Sequence, residues 1–326
     1  MTRLYWHRWA LVVVCLTSMS LASWAQLPNT RTDVALKLVL PFGPGSGTDV
    51  YARMIAAKLG QAMGTTVVID NRPGANGVLA ADYVAKAKPD GTTLLLSTNT
   101  THAANPHLVK DLRYDPVRDF SPISKLGNLT FFLLVPQHSP HQQLSQLIEA
   151  ARQAPKQVGF GYSNSFGVVS GNKLGRVAGV EFLGVPYKSS PQIITDMLGG
   201  QLQFAFVDLA AAAPLVKAGR VRALAVLTDK RFALMPTVPT MRELGYTDFN
   251  VVAWFGLFAP AGTPPAVVER LNKEIQNIAQ NADFRERGAE LGIDVFASSP
   301  QELDVYVREQ LALWARFTAD AGLKPE

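Results

Sequence analysis

From Val34 to Ser97 the chain repeatedly switches between strand-length apolar runs and helical spacing, and this alternation constrains the fold more than any other feature. Val34–Leu40 is a short apolar run. Asp49–Met63 sets Val50, Met54, Ile55, Ala57 and Leu59 at helical spacing, and Gly64 stops it. Thr66–Ile69 is β-branched, and Asn71-Arg72-Pro73-Gly74 reads as a turn. Val78–Ala87 is helical in pattern, and Pro89-Asp90-Gly91 turns the chain into the run Thr92–Ser97. Parallel strands need long crossovers, and a βαβαβ order supplies them, so an α/β fold with a doubly wound sheet is expected.

The alternation resumes further on. Strands are expected at Leu129–Val135, Val158–Tyr162, Glu181–Val185, Phe204–Val207, Arg222–Leu227 and Trp254–Ala259. Helices fall between them, and Pro264–Asn281 and Gln301–Ala321 form a long amphipathic pair. About 300 residues with this many elements suit two lobes. One lobe is expected from residues 26–126 and 253–326, the other from 127–252. Two interlobe crossings would then permit hinge closure over a ligand cleft.

Arg3 and Arg8 precede an apolar run from Ala10 to Leu16, and Ser23-Trp24-Ala25 offers small residues for cleavage. Residues 1–25 therefore read as a secretory signal peptide cut near Ala25, which places the chain in the periplasm. The run is too short to cross ~30 Å of hydrocarbon. The lone cysteine, Cys15, lies inside it, so the mature chain has no disulfide, thiolate nucleophile or metal-thiolate site. Losing Arg3 and Arg8 takes 31 basic residues to 29 against 26 acidic, a net charge of +3. That is too mild for nucleic acid, and the basic residues form no stripe.

The strand-to-helix loop Pro41-Phe42-Gly43-Pro44-Gly45-Ser46-Gly47-Thr48-Asp49 is the strongest candidate site. Its glycines admit close backbone approach, Thr48 or Asp49 can cap the helix, and free N–H groups at a helix start suit an anion. Candidate ligand contacts are Phe42, Gly45, Ser46, Gly47, Thr48 and Asp49. The spacing is G-x-G-x-G rather than G-x-G-x-x-G, which argues against a dinucleotide, and no lysine follows to make a P-loop. A second loop, Ser97-Thr98-Asn99-Thr100-Thr101-His102, ends the third strand and offers Thr98 and Thr100. A third, Ser163-Asn164-Ser165-Phe166-Gly167, opens a helix in the second lobe; Phe166 is either pocket wall or core. Asp208, after the strand Phe204–Val207, takes an ammonium or hydroxyl, or caps the next helix.

Catalytic patterns are missing. Gly161-Tyr162-Ser163-Asn164-Ser165 lacks the second glycine of a nucleophile elbow. His138 and His141 flank Pro140 in a polar turn, a poor metal spacing. No catalytic residue, metal or cofactor is expected.

Several segments resemble the receptors of tripartite tricarboxylate transporters, the Bug family. They are Val39–Asp49, Asp70-Asn71-Arg72-Pro73-Gly74-Ala75-Asn76-Gly77, Pro89-Asp90-Gly91, Tyr114-Asp115-Pro116, Val185-Pro186-Tyr187-Lys188 and Trp254–Pro264. Together they run in the family's order across the mature chain. The resemblance implies a type II periplasmic-binding-protein fold and no catalysis. It implies a small carboxylate ligand (amino acid, dicarboxylate, tricarboxylate or aromatic acid) held by the loops at Phe42–Asp49 and in lobe two. It also implies a two-component membrane permease as partner; a monomer is expected. The loop Tyr162–Gly167 departs from the Gly-Ser-x-Gly-x-Gly pattern of many relatives and carries an added aromatic, Phe166. Rival readings are a periplasmic sensor subunit that presents ligand to a signalling kinase, and a hydrolase or lyase that reuses the cleft.

Overall fold

The apolar runs pair into two sheets rather than one continuous one. The structure is a computed structural model that describes residues 35–247, 249 and 252–326. The expected signal peptide and its cleavage point lie outside the described residues.

The chain enters through β1 (Leu36–Leu40), α1 (Gly47–Met63), β2 (Val67–Asn71), α2 (Val78–Ala85) and β3 (Thr93–Thr98). A turn of π-helix at Thr100–Ala104 leads into the short α3 (Asn105–Leu108) and then β4 (Phe120–Leu129). The next segment runs β5 (Phe131–Pro136), α4 (Leu144–Gln153), β6 (Gly159–Tyr162), α5 (Ser165–Ala178), β7 (Leu183–Pro186) and α6 (Ser190–Leu198). It continues through β8 (Phe204–Asp208), α7 (Leu209–Lys217) and β9 (Val221–Val226). The chain closes with β10 (Ala253–Pro260), α8 (Pro265–Gln280), α9 (Ala282–Glu290), β11 (Ile293–Val295) and α10 (Pro300–Asp320).

Lobe one holds the sheet β11-β4-β10-β3-β1-β2, and lobe two the sheet β7-β6-β8-β5-β9. Within each, the wound strands are parallel: β2, β1 and β3 in one, β7, β6 and β8 in the other. Two strands follow directly on the crossings, and each runs antiparallel to its neighbours. β10 does so beside β3 and β4, and β5 beside β8 and β9. The wound strands end at the cleft, so a strand arriving from the other lobe starts there and runs away from it. The sheets exchange the chain at Thr130, a few residues beyond the expected 126/127 boundary. β4 carries no clear strand period in the sequence because Pro122, Lys125, Gly127 and Asn128 blur it, and its pairing with β10 shifts register twice.

The inner wound strands β1 and β3 are buried on both faces, with Leu38, Val39, Leu40 and Leu94–Leu96 all sealed from solvent, as parallel strands covered by helices require. Trp254 and Trp314 fill lobe one. The Tyr51 hydroxyl donates to the Leu126 carbonyl at 2.7 Å, fixing α1 to β4. Asn272 on α8 donates to the carbonyls of Ile123 and Ser298. Among the described residues no helix is long and apolar enough to cross a membrane.

Candidate ligand-binding cleft

The turn from β1 into α1 depends on local backbone chemistry. Gly45 takes φ +77, which glycine adopts without steric cost. Ser46 caps α1, its Oγ accepting from the Asp49 N–H at 3.3 Å, so the cap is neither Thr48 nor Asp49 as the sequence suggested. Asp49 turns back into the loop. It accepts from the Gly45 N–H, from Asn71 Nδ2 and from both Arg53 Nε and Nη2, each at 3.0 Å. Burial pushes its carboxyl up, but these hydrogen bonds prevail and hold it below the ordinary range.

Lobe two answers with three more helix starts. Asn164 caps α5 by accepting from the Gly167 N–H at 2.9 Å. Ser190 opens α6. Asp208 caps α7, accepting from the Ala211 N–H at 2.8 Å, with Ser190 Oγ at 3.5 Å. Gly47, at the first position of α1, lies against the same Asp208 carboxylate across the cleft. A side chain at residue 47 would collide with it, the ideal Cβ position lying 2.6 Å from Asp208 Cγ.

These four helix starts meet at one enclosed cavity. Its wall takes Phe42, Ser46, Gly47 and Thr48 from the first loop, Thr98, Asn99 and Thr100 from the second, and Ser163, Asn164 and Phe166 from the third. Ser190, Asp208, Leu129, Phe131 and Ala253–Phe255 complete it. Gly45, Asp49 and Ser165 were also expected as contacts, but they are not on this wall. Gly45 and Asp49 serve the turn. Ser165 clasps the lobes, its N–H donating to Thr100 Oγ1 at 3.3 Å and its Oγ accepting from Asn76 Nδ2 at 3.1 Å. The cavity volume is about 20 Å³, room for a water-sized body. Outside it, sharing Phe42 and Ser163, opens a cleft of about 650 Å³ bordered by Tyr162, Tyr187, Lys188 and Lys324.

Sequence reasoning missed the wall residues Leu129, Phe131 and Ala253–Phe255. They sit where the crossing strands pass under the cleft, and only the topology brings them there. Ser190 carried a signal, the helix-start pattern Ser189-Ser190-Pro191. Asp208 is the only ionisable side chain on the wall among the described residues. It is 3% exposed, and burial pushes its carboxyl up to about 6, although hydrogen bonds from Ala211 and Ser190 oppose the shift.

Behind the wall, Ser97 Oγ lies 2.7 Å from His102 Nδ1 and 2.8 Å from Thr101 Oγ1. The imidazole packs on Phe258 and Phe120, with centroids at 4.1 and 4.6 Å. Burial drives its pKa down to about 3, so it is neutral near neutral pH. Both Ser97 and His102 are sealed from solvent, and the pair holds the turn rather than meeting a substrate. Phe166 is 2% exposed and stacks on Phe131 at 4.1 Å, yet it forms part of the cavity wall.

The architecture is shared. The model of the tripartite tricarboxylate transporter family receptor matches residues 51–323. A structure of Rpa4515 from R. palustris with adipate superposes with TM-score 0.87 at 35% identity, covering 90% of this chain and 98% of that one. The periplasmic binding protein BugD gives 0.85 at 30% identity, covering 90% and 99%. MatC from Rhodopseudomonas palustris with bound malate gives 0.82 at 31% identity, covering 87% and 98%. With two lobes facing one another across a cleft and a match along nearly the whole described chain, the protein belongs to the tripartite tricarboxylate transporter receptor family, periplasmic solute-binding proteins of the Bug type.

Proposed function

We propose that this chain is an extracytoplasmic receptor that captures a small carboxylate between its lobes and delivers it, chemically unchanged, to a two-component permease of the tripartite tricarboxylate type. The observation that carries this reading is the convergence of α1, α5, α6 and α7, all by their N-terminal ends, on one cavity. Each helix start presents the positive end of its dipole, so together they favour an anion without any arginine.

In this reading Gly47, Thr48, Ser46 and Phe42 bind from lobe one together with Thr98 and Thr100, while Ser163, Asn164, Phe166 and Asp208 bind from lobe two. The crossings near Thr130 and before Ala253 serve as hinges. Adipate and malate, bound by two of the similar structures, head the list of acids to try. A leader cleaved near Ala25 delivers the protein to the periplasm.

A thermal-shift screen of dicarboxylates, tricarboxylates, amino acids and aromatic acids tests the proposal. A ligand at 100 times its Kd adds ~2.7 kcal/mol of stability, an upward shift of several degrees. If no acid raises the melting temperature, the proposal fails. If an acid is consumed or converted during incubation, the non-catalytic part fails.

A further inference from the structure

An anion cavity whose only ionisable wall group among the described residues is itself an acid poses a chemical problem. Asp208 belongs to lobe two, yet its carboxylate packs against Gly47, the first residue of the lobe-one helix. It therefore occupies the position a ligand carboxylate would take at α1. Swinging clear would forfeit the cap of α7, which the same carboxylate makes through the Ala211 N–H at 2.8 Å. A ligand carboxylate that takes up donors at the start of α1 comes within hydrogen-bond reach of Asp208. Two carboxylates that close do not both ionise in a site sealed from water.

We infer that Asp208 binds the ligand as the neutral acid: one proton enters from solvent with each ligand, and the Asp208 O–H donates to the ligand carboxylate. This rests on the acid-receptor reading above. The balance is simple. Asp208 carboxylate, one solvent proton and the ligand anion give a carboxylic acid hydrogen-bonded to a carboxylate, with one net negative charge facing four helix starts. The surroundings leave Asp208 as the group that titrates. α1 brings Asp49, already paired with Arg53. The turn after β3 brings His102, buried and neutral. α5, α6 and β10 place no ionisable side chain on the wall. Burial has already moved the Asp208 carboxyl up toward neutrality in the unliganded chain.

The test is titration calorimetry of the full mature protein. Adipate, malate and the acid leading the thermal screen are each measured near neutral pH in phosphate and in Tris, whose ionisation enthalpies differ widely. The heat difference gives the protons taken up, expected near one per ligand. Affinity should then fall about tenfold per pH unit above the Asp208 pKa. Asp208→Asn keeps a good helix cap and supplies an N–H donor in place of the O–H. It should bind with no proton uptake, show no pH slope, and exceed the wild type in affinity at alkaline pH. Binding to the wild type with zero proton uptake overturns this inference and leaves the receptor reading intact; an ammonium ligand salt-bridged to ionised Asp208 would give that result. No binding by any acid removes the receptor reading, and this inference with it.

Discussion

Replacing Gly47 with alanine separates closure from folding. The new methyl would lie 2.6 Å from Asp208 Cγ, and Asp208 sits on the opposite lobe. Two responses relieve the clash. The lobes stay parted, which forfeits the interlobe hydrogen bonds of Ser165 with Thr100 and Asn76 at about 0.5–1.5 kcal/mol each. Alternatively Asp208 rotates away, which forfeits the cap of α7 at ~1 kcal/mol, with a range of about 0.5–2. The cheaper response governs, so the penalty on the closed state is about 1–2 kcal/mol, a roughly 5- to 30-fold loss of ligand affinity. Each lobe keeps its own sheet and helices whether the cleft is open or shut, so the unliganded melting temperature should stay within about two degrees. Titration calorimetry and unliganded thermal melts of Gly47→Ala measure the two effects separately. Unchanged affinity would refute the placement of Asp208 against α1 in the closed state. A large drop in unliganded stability would show that the contact supports the fold rather than closure.

Phe166→Ala removes the stack on Phe131 and leaves a buried void, so a loss of ~3–5 kcal/mol is expected in denaturant melts. The order of acids in the thermal screen should change as well; an unchanged order would confine Phe166 to packing. Gly171 on α5 faces Phe160, whose Cδ2 lies 2.8 Å from the ideal Cβ position. Gly171→Ala should therefore cost ~1–3 kcal/mol through overpacking, read as a lower urea midpoint. Asp208 and His102 pull stability in opposite directions with pH. The Asp208 pKa is raised in the fold to about 6 from an ordinary 3.8, so its contribution is full below pH ~4 and is lost as pH rises through about 6. The His102 pKa is depressed to about 3 from 6.5, so its contribution is full above pH ~6.5 and is lost as pH falls toward 3. Between pH ~4 and ~6 the two slopes, each about 1.4 kcal/mol per pH unit, oppose one another. In urea denaturation across that window, Asp208→Asn should lose stability on acidification more steeply than the wild type. His102→Phe should gain relative to it. Parallel curves for all three proteins would refute both assignments.

The sequence by itself determined the lobes' internal wiring. Alternating periods, with Gly64 and the turn Pro89-Asp90-Gly91 as stops, specify wound α/β units because each signal is local: a helix face or a strand period lies within a few turns of chain. The three loops at strand ends were legible for the same reason, since a strand that ends before a helix must place its loop at the sheet's edge, and most of their predicted contacts line the cavity. The tertiary structure decided what depends on two distant segments meeting. Polar residues and bulges hide β4 until β10 pairs with it. Asp49 and Asp208 are both acids beside a helix start, and nothing local distinguishes them. Arg53 and Asn71 turn Asp49 into the loop, whereas Asp208 meets Gly47 across the cleft between the lobes. Ser165 looks like its neighbours Ser163 and Asn164, but Thr100 and Asn76 take it as a clasp. Helix caps and strand periods are settled by neighbours in sequence, whereas the partner of a buried charge across a cleft is settled by the hinge.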